Sequence, residues 1–396
     1  MDLHFGQHLL AAPDAENRLA LRTALRPLGN SGRILAALRE AEALAAALDD
    51  PRRLGEVSVF QSFHFHLISA HDQAIAAGER ALALATAGGE VVLHALANQY
   101  LGFAYQAQGD YPRAIDYLRQ TVASLEGARH RERFGQVFLP SVNSRAWLAV
   151  CHAELGTFPE GRVLGEEGRR IAEEVAHPGS LMVASWGVGL LSLRQGDLPR
   201  ALPLLERAVS ICHGADLPAY FPRMAATLGA AYTLGGRVAD AVLLLTQATE
   251  QATAMEMVVF QALCRLSLGE AHMLAGCPGD AHVLAERTLV LAREHQERGN
   301  EAYALRLLGE IAARREPPEH EQAEAYYQQA LALAEELGMR PLVAHGHLGL
   351  GTLYAKSGQR RQARAELSAA IELYRAMDMT FWLPQAEAVL AQVEGR

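Results

Sequence analysis

The chain has 396 residues, 50% of them apolar and 6% aromatic, with a formal net charge of −9. That length suits two or three ordinary domains, or one repeat array whose size is not limited by a single core. The negative charge argues against a nucleic-acid partner, because phosphate binding needs Lys and Arg clustered on one face, and here nearly all basic residues are Arg, with Lys356 the sole lysine.

Cys151, Cys212, Cys264 and Cys277 are far apart and form no CxxC pair. This predicts a reducing compartment without a disulfide or zinc framework. Met1-Asp2-Leu3-His4 opens without a basic segment followed by an apolar one, and no run of about 18 apolar residues follows. These features predict a cytoplasmic location and no membrane partner.

In chain order, the sequence repeats itself. Ile34 with Ala41, then Ala74 with Ala81, mark two units. A full pattern follows in Leu101-Gly102, Tyr105, Gly109, Ala114 and Leu118. A weak copy reads Leu148-Ala149, Gly156 and Gly161. Stronger copies return as Val188-Gly189, Ser192, Gly196, Ala201, and as Leu228-Gly229, Tyr232, Gly236, Ala241. Then come Leu268-Gly269, His272, Gly276, Ala281; Leu308-Gly309 with Ala323 and Tyr327; and Leu350-Gly351, Tyr354, Gly358, Ala363. The equivalent second-helix positions are 34, 74, 114, 161, 201, 241, 281, 323 and 363, so the spacing is 40 except for intervals of 47 and 42.

Each motif residue has a packing reason. Gly on the first helix of a hairpin admits the second helix closely, and the turn Gly takes the φ > 0 that ends a helix. The Ala on the second helix faces the first at short range. A bulky residue at Ala114, Ala201 or Ala241 should cost roughly 1–3 kcal/mol by overpacking. The pattern resembles the tetratricopeptide repeat, with its Leu-Gly-x-x-Tyr core and later Ala. It lacks that family's first Trp and has a period of 40 instead of about 34. The resemblance implies an all-α, right-handed superhelical solenoid of about nine hairpins with longer helices than the standard unit.

Two interruptions divide the array. Residues 126–141 hold charge, Gly and Pro, including Glu126-Gly127-Ala128 and Phe138-Leu139-Pro140. They predict an irregular insertion and possible hinge between a three-repeat lobe, 1–125, and a six-repeat lobe, 142–396. The next repeat carries Gly161, Gly165 and Gly168, which predicts poor packing and a weak joint, since each helical Gly costs up to about 1 kcal/mol against Ala. Arg314-Arg315-Glu316-Pro317-Pro318-Glu319 lengthens a later turn. Residues 379–394 read as a capping helix, with Phe381 and Trp382 over the last repeat.

The search for chemistry predicts no enzyme, no cofactor and no metal. Lys356-Ser357 lacks the two glycines of a phosphate loop, holding Leu350 and Ala355 instead. His64 and His66, like His345 and His347, are two apart and point to opposite sides of a helix. His272 takes the Tyr slot and reads as packed. Pairs such as Glu166-Glu167 read as solvated faces. What remains is the concave groove lined by first helices, where the register places Phe63, His66, Gln99, Phe103, Gln106, Trp186, Glu270, Arg306 and Glu310, with Leu190 and Met273, and Arg194 and Arg223 nearby. Phe63, Phe103 and Trp186 form an aromatic strip. Exposed, it would anchor a peptide or helix; the alternative is that it is buried between repeats.

A closer resemblance rests on Ala334-Glu335-Glu336-Leu337-Gly338-Met339-Arg340-Pro341 and on Ala370-Ile371-Glu372-Leu373-Tyr374-Arg375-Ala376-Met377-Asp378. Together with the segments 21–53 and 118–126, these are similar to the C-terminal repeat region of bacterial signalling proteins that combine an adenylate/guanylate cyclase domain with a STAND/AAA-type ATPase. The resemblance implies a sensor or interaction arm that binds a protein or peptide, including a cyclase or ATPase module in cis or trans. A small-molecule or peptide sensor is the alternative. Neither the cyclase carboxylates nor a Walker lysine is present, so those activities do not carry over.

Overall fold

The computed structural model describes residues 31–255 and 257–395, and every regular element among them is helical. Helix α1 (Ser31–Ala47) is the second helix of repeat 1. The first helix expected for that repeat falls before residue 31, outside the described residues. Complete hairpins follow. Repeat 2 pairs α2 (Pro51–Leu67) with α3 (His71–Gly88), and repeat 3 pairs α4 (Val91–Gln108) with α5 (Tyr111–Ser124). Repeat 4 is α6 (Pro140–Leu155) and α7 (Phe158–Glu174); repeat 5 is α8 (Pro178–Gln195) and α9 (Leu198–Gly214). Repeat 6 is α10 (Phe221–Leu234) and α11 (Val238–Ala254); repeat 7 is α12 (Val258–Leu274) and α13 (Pro278–Glu294). Repeats 8 and 9 are α14 (Arg298–Arg314) with α15 (His320–Glu336), and α16 (Arg340–Lys356) with α17 (Arg360–Ala376). Helix α18 (Leu383–Glu394) caps the end. The architecture is an α-solenoid of helix hairpins.

The 40-residue period is filled by helices of 17 residues, as in α13, α14, α15, α16 and α17, joined by short bends. Each such helix is roughly 26 Å long. The bends are built locally. Asp110 and Asp197 accept the backbone N–H of Arg113 and Arg200 at 3.2 Å, with Pro in the first turn of each helix. Gly109 and Gly196 end the preceding helices with φ of 85° and 87°.

The Leu-Gly motif works as its chemistry suggests. A Cβ at Gly102 would stand 2.6 Å from the Leu118 side chain, and one at Gly189 the same distance from Leu205. Ala114, Ala201, Ala241, Ala281, Ala323 and Ala363 are wholly buried.

Repeat 4 departs from the sequence reading. Its second-helix glycines do not mark loose packing. A Cβ at Gly161 would lie 2.5 Å from Leu191 and 2.6 Å from His152, and one at Gly165 would lie 2.7 Å from Val188. Helix α7 sits so close to α6 and α8 that even a methyl group does not fit, so Gly substitutes for Ala by steric need.

The insertion at 126–141 contains a 3-10 turn at Gly127–Arg131. It is tied down by Ser141 Oγ donating to the His130 carbonyl at 2.6 Å and by Tyr100 Oη donating to Gln136 Oε1 at 2.6 Å. Phe138 is buried against Tyr220, with ring centroids 4.8 Å apart. One apolar cluster runs past the insertion, from Val59 through Leu139 to Val343.

Successive turns of the superhelix touch. First helices five repeats apart meet: α2 with α12, α4 with α14, and α6 with α16. Ser69 Oγ donates to Glu297 Oε1 at 2.9 Å, and Tyr303 Oη donates to Glu154 Oε2 at 2.7 Å, both across this seam. The turn glycines of repeats 3, 4 and 5 are seated in it: Cβ atoms there would meet Leu337, Met377 and Trp382 within 3.3 Å. Contacts of this kind tie together repeats that a one-dimensional array would leave independent.

Candidate functional site

The inward faces of the first helices divide into two regions. The first is a chain of rings. Phe63 stacks on Tyr100 at 4.9 Å, Tyr100 meets Phe103 at 5.6 Å, and Phe103 meets Trp147 at 4.7 Å. Trp147 continues to Trp186 at 5.5 Å, and Trp186 Nε1 donates to Thr227 Oγ1 at 3.0 Å. The Arg223 guanidinium ends the chain, over Trp147, Trp186 and Phe260 at 4.6, 5.2 and 4.4 Å. Burial pulls its pKa down to about 9, with Tyr220 and Cys264 partly opposing. No carboxylate pairs with it among the described residues; the ring faces hold the cation instead.

This region is closed. Phe103 and Trp186 are 3% exposed, and His66 and Gln99 are 1% exposed. Phe63 and Gln106 are half-buried. The aromatic strip expected as an open anchor is therefore buried, except for part of Phe63. The physical cause is the touching of α2 with α12 and of α4 with α14, which covers the concave face of repeats 2–4. Spacing within a repeat carries no sign of the superhelical pitch that buries these residues.

The second region is open. A cleft of about 620 Å³ runs along the first helices of repeats 5–9 to the cap. Arg306 lies at its centre, bridging Glu270 and Glu310, with 3.0 Å to the latter. Arg314 also reaches Glu310 at 2.6 Å. Burial opposes the Arg306 charge, but Glu270 and Glu310 outweigh it and hold its pKa above the usual value. Arg194 donates to Glu154 at 3.0 Å and lies 4.3 Å over the Tyr303 ring.

On the far wall, His345 meets the Tyr374 hydroxyl at 2.8 Å and Trp382 edge-on at 4.6 Å. Burial, with Arg306 and Arg194 nearby, drives the His345 pKa down to about 3, so its ring is neutral. Met273, Thr352 and the exposed Lys356 also line the cleft, with Leu and Ala side chains between them.

Of the residues expected in the groove, Arg194, Glu270, Met273, Arg306 and Glu310 meet in this cleft, whereas Phe63, His66, Gln99, Phe103, Gln106, Trp186 and Arg223 do not line it. Tyr303, His345, Thr352, Lys356 and Trp382 were missed as lining residues. Trp382 enters from the cap, which spacing within one repeat does not reveal, and Tyr303, His345 and Lys356 stand on first helices at offsets from the motif Gly other than those used for the groove. Thr352 was readable, standing one residue after Gly351 at the register used for the groove.

The cleft is lined by Arg194, Arg306, Arg314 and Lys356 against Glu270 and Glu310, a lining charge of +2 in a chain of net −9, with Glu154 paired to Arg194 just behind the lining. Among the described residues, no helix is long and apolar enough to cross a membrane.

Comparison with known proteins agrees with this architecture. A tetratricopeptide repeat profile matches residues 97–124. The chain is similar in structure to a Rap protein complexed with competence and sporulation factor, with TM-score 0.58, 12% identity, and coverage of 86% of this chain and 97% of that one. It is similar to a Rap conjugation gene regulator in complex with the Phr peptide, with TM-score 0.55, 13% identity, and coverage of 92% and 97%. A STAND protein with a tetratricopeptide repeat sensor from Pyrococcus horikoshii aligns at TM-score 0.48 and 15% identity, and there the chain covers 53% of the other's length. A search of curated protein sequences gives no significant match. At these identities the likeness establishes the solenoid fold of tetratricopeptide type.

Proposed function

We propose that this chain is a non-catalytic, cytoplasmic regulatory scaffold of bacterial signal transduction that holds a short peptide, or an extended segment of a protein partner, in the cleft of repeats 5–9. The observation that carries this reading is the cleft itself. It spans five consecutive first helices, has the volume of a specific ligand site, and presents a positive, aromatic-edged lining inside an acidic chain. That lining favours a ligand bearing carboxylates, from acidic side chains or a free C-terminus.

Two structural neighbours of the same fold are, by description, complexes with a signalling factor and a peptide, which supports the class of ligand. The resemblance of the C-terminal repeats to cyclase- and ATPase-linked arrays supports a partner of that kind, in cis or trans. The charged groups of the cleft are engaged with one another, as Arg306 is with Glu270 and Glu310. This suits recognition more than acid–base chemistry.

The test is a display selection of random peptides against the full chain and against Thr352→Trp, which fills the cleft. Enrichment of acidic peptides on the parent protein, lost on the filled variant, is the expected result. Equal enrichment on both, or none on either, would sink the proposal. If a metabolite screen gives a Thr352→Trp-sensitive thermal shift while no peptide binds, the cleft is a small-molecule sensor.

A further inference from the structure

We infer that the bend of repeat 7 is a binding site for one zinc-like divalent metal ion, held by His272, Cys277 and Asp280. The Nδ1 or Nε2 of His272, the Sγ of Cys277 and a carboxylate oxygen of Asp280 lie within 4.8 Å of one another. Tetrahedral zinc bonded to nitrogen, sulfur and oxygen sets its ligand atoms about 3.3–3.6 Å apart. Cys277 and Asp280 are exposed, and the Cys277 thiol makes only a long contact to the Ala275 carbonyl at 3.9 Å, so small rotations of these two side chains close that gap.

The repeat geometry explains why these three groups meet. His272 closes the first helix, Cys277 is the N-cap of α13, and Asp280 lies in that helix's first turn. Their offsets are five and eight residues. Repeat 4 carries His152, Thr157 and Glu160 at the same offsets, and there His152 Nδ1 meets Thr157 Oγ1 at 2.7 Å. The bend therefore brings the first and second positions into bonding distance. In repeat 7, Cys replaces Thr, and the buried Nδ1 of His272 has no hydrogen-bond partner. Repeat 3 has Tyr105, Asp110 and Arg113 at these positions, and repeat 6 has Tyr232, Arg237 and Asp240. Neither can ligate a metal in this way.

The donor set decides the metal class. One imidazole, one thiolate and one carboxylate suit zinc, cobalt or nickel, and disfavour calcium and magnesium, which take oxygen ligands. Three protein ligands leave a fourth position for water or for a group from a partner. Binding releases the Cys277 thiol proton to solvent as the metal–sulfur bond forms. No pair of neighbouring cysteines marks this site in the sequence. The mixed set becomes visible only once the bend folds the three residues together.

Cys151, Cys212 and Cys264 are buried and Cys277 is exposed, which gives a direct assay on the full chain. Ellman's reagent should modify one thiol rapidly, and one equivalent of Zn²⁺ should protect it. Co²⁺ should give a thiolate-to-cobalt charge-transfer band at the same stoichiometry. Cys277→Ser should abolish the band. His272→Tyr, the residue that repeats 6 and 9 hold there, should weaken binding by about tenfold or more, at least the loss seen for outer-shell partners. Zinc that leaves the Cys277 thiol unprotected, or binds the parent and both variants equally, would overturn the site.

Discussion

The two regions of the superhelical interior are both built from inward faces of the first helices and end differently. In repeats 2–7 the inward positions hold Phe63, Phe103, Trp147, Trp186 and Phe260, and these rings with Arg223 fill the space between facing helices. In repeats 5–9 they hold Arg194, Glu270, Arg306 and Glu310, whose charges cannot be buried against an apolar wall without partners. There the inward faces leave a cleft. Side-chain chemistry along the inward faces thus separates the part where rings fill the interior from the part that stays available to a ligand.

The largest effect should come from the seam between successive turns of the superhelix. Glu154 is 7% exposed and accepts from both Arg194 and Tyr303, joining repeats 4, 5 and 8. Glu154→Ala leaves Arg194 half-buried without its carboxylate, and loss of a partner from a buried pair costs about 3–5 kcal/mol. Urea unfolding followed by far-UV circular dichroism and by tryptophan fluorescence should show the loss with both probes in one transition. Two separated transitions would mean that the turns are not coupled through this seam.

Glu297 tests the same seam by pH. It is 3% exposed, accepts from Ser69 and Asn300, and burial raises its pKa from 4.5 to about 7. The unfolded chain gives up this proton near pH 4.5, while the native state keeps it to about 7. Stability from this group is therefore full below pH 4.5, falls between the two values, and stays low above. The difference corresponds to roughly 3 kcal/mol. His66 and His71, held neutral by burial, titrate in the opposite sense, so the parent profile mixes both. The difference between parent and Glu297→Gln isolates the carboxyl: equal stability at pH 4.5 and a more stable variant at pH 8.

Much of the architecture was legible in the sequence. The 40-residue spacing placed every described hairpin, and the Leu-Gly rows predicted close approaches that Gly102 and Gly189 make with Leu118 and Leu205. The register reaches Glu270, Arg306 and Glu310, which line the cleft together with Arg194 nearby. What was hidden depends on contacts between successive superhelical turns. No local pattern marks Glu154 as the partner of Tyr303, or Ser69 as that of Glu297. Repeat 4 was misread for a related reason: propensity counts a helical Gly as weakness, whereas Gly161 and Gly165 are set by neighbours on α6 and α8. Gly165→Val should accordingly cost about 1–3 kcal/mol, through collision with Val188 and Ala149. A gain in melting temperature would restore the loose-repeat reading.

The smallest effect on stability should be at the cleft mouth, where the contrast between the regions bears on function. Lys356 is exposed, is the only lysine, and ends the first helix of repeat 9. Lys356→Glu changes the lining charge from +2 to 0. At an exposed site with no buried partner, stability should move by no more than about 0.5 kcal/mol. Binding should respond more strongly, because a rim charge acts on encounter through the field of the cleft. An acidic peptide selected on the parent should associate more slowly with the variant, and most clearly at low salt, since screening removes the difference as the Debye length falls to about 10 Å at 0.1 M. The same substitution should leave the aromatic region untouched, with tryptophan emission from Trp147 and Trp186 unchanged. If association rates are identical at low salt while binding persists, the ligand is held elsewhere than the cleft, and the division of the interior into a closed half and a receptive half loses its functional meaning.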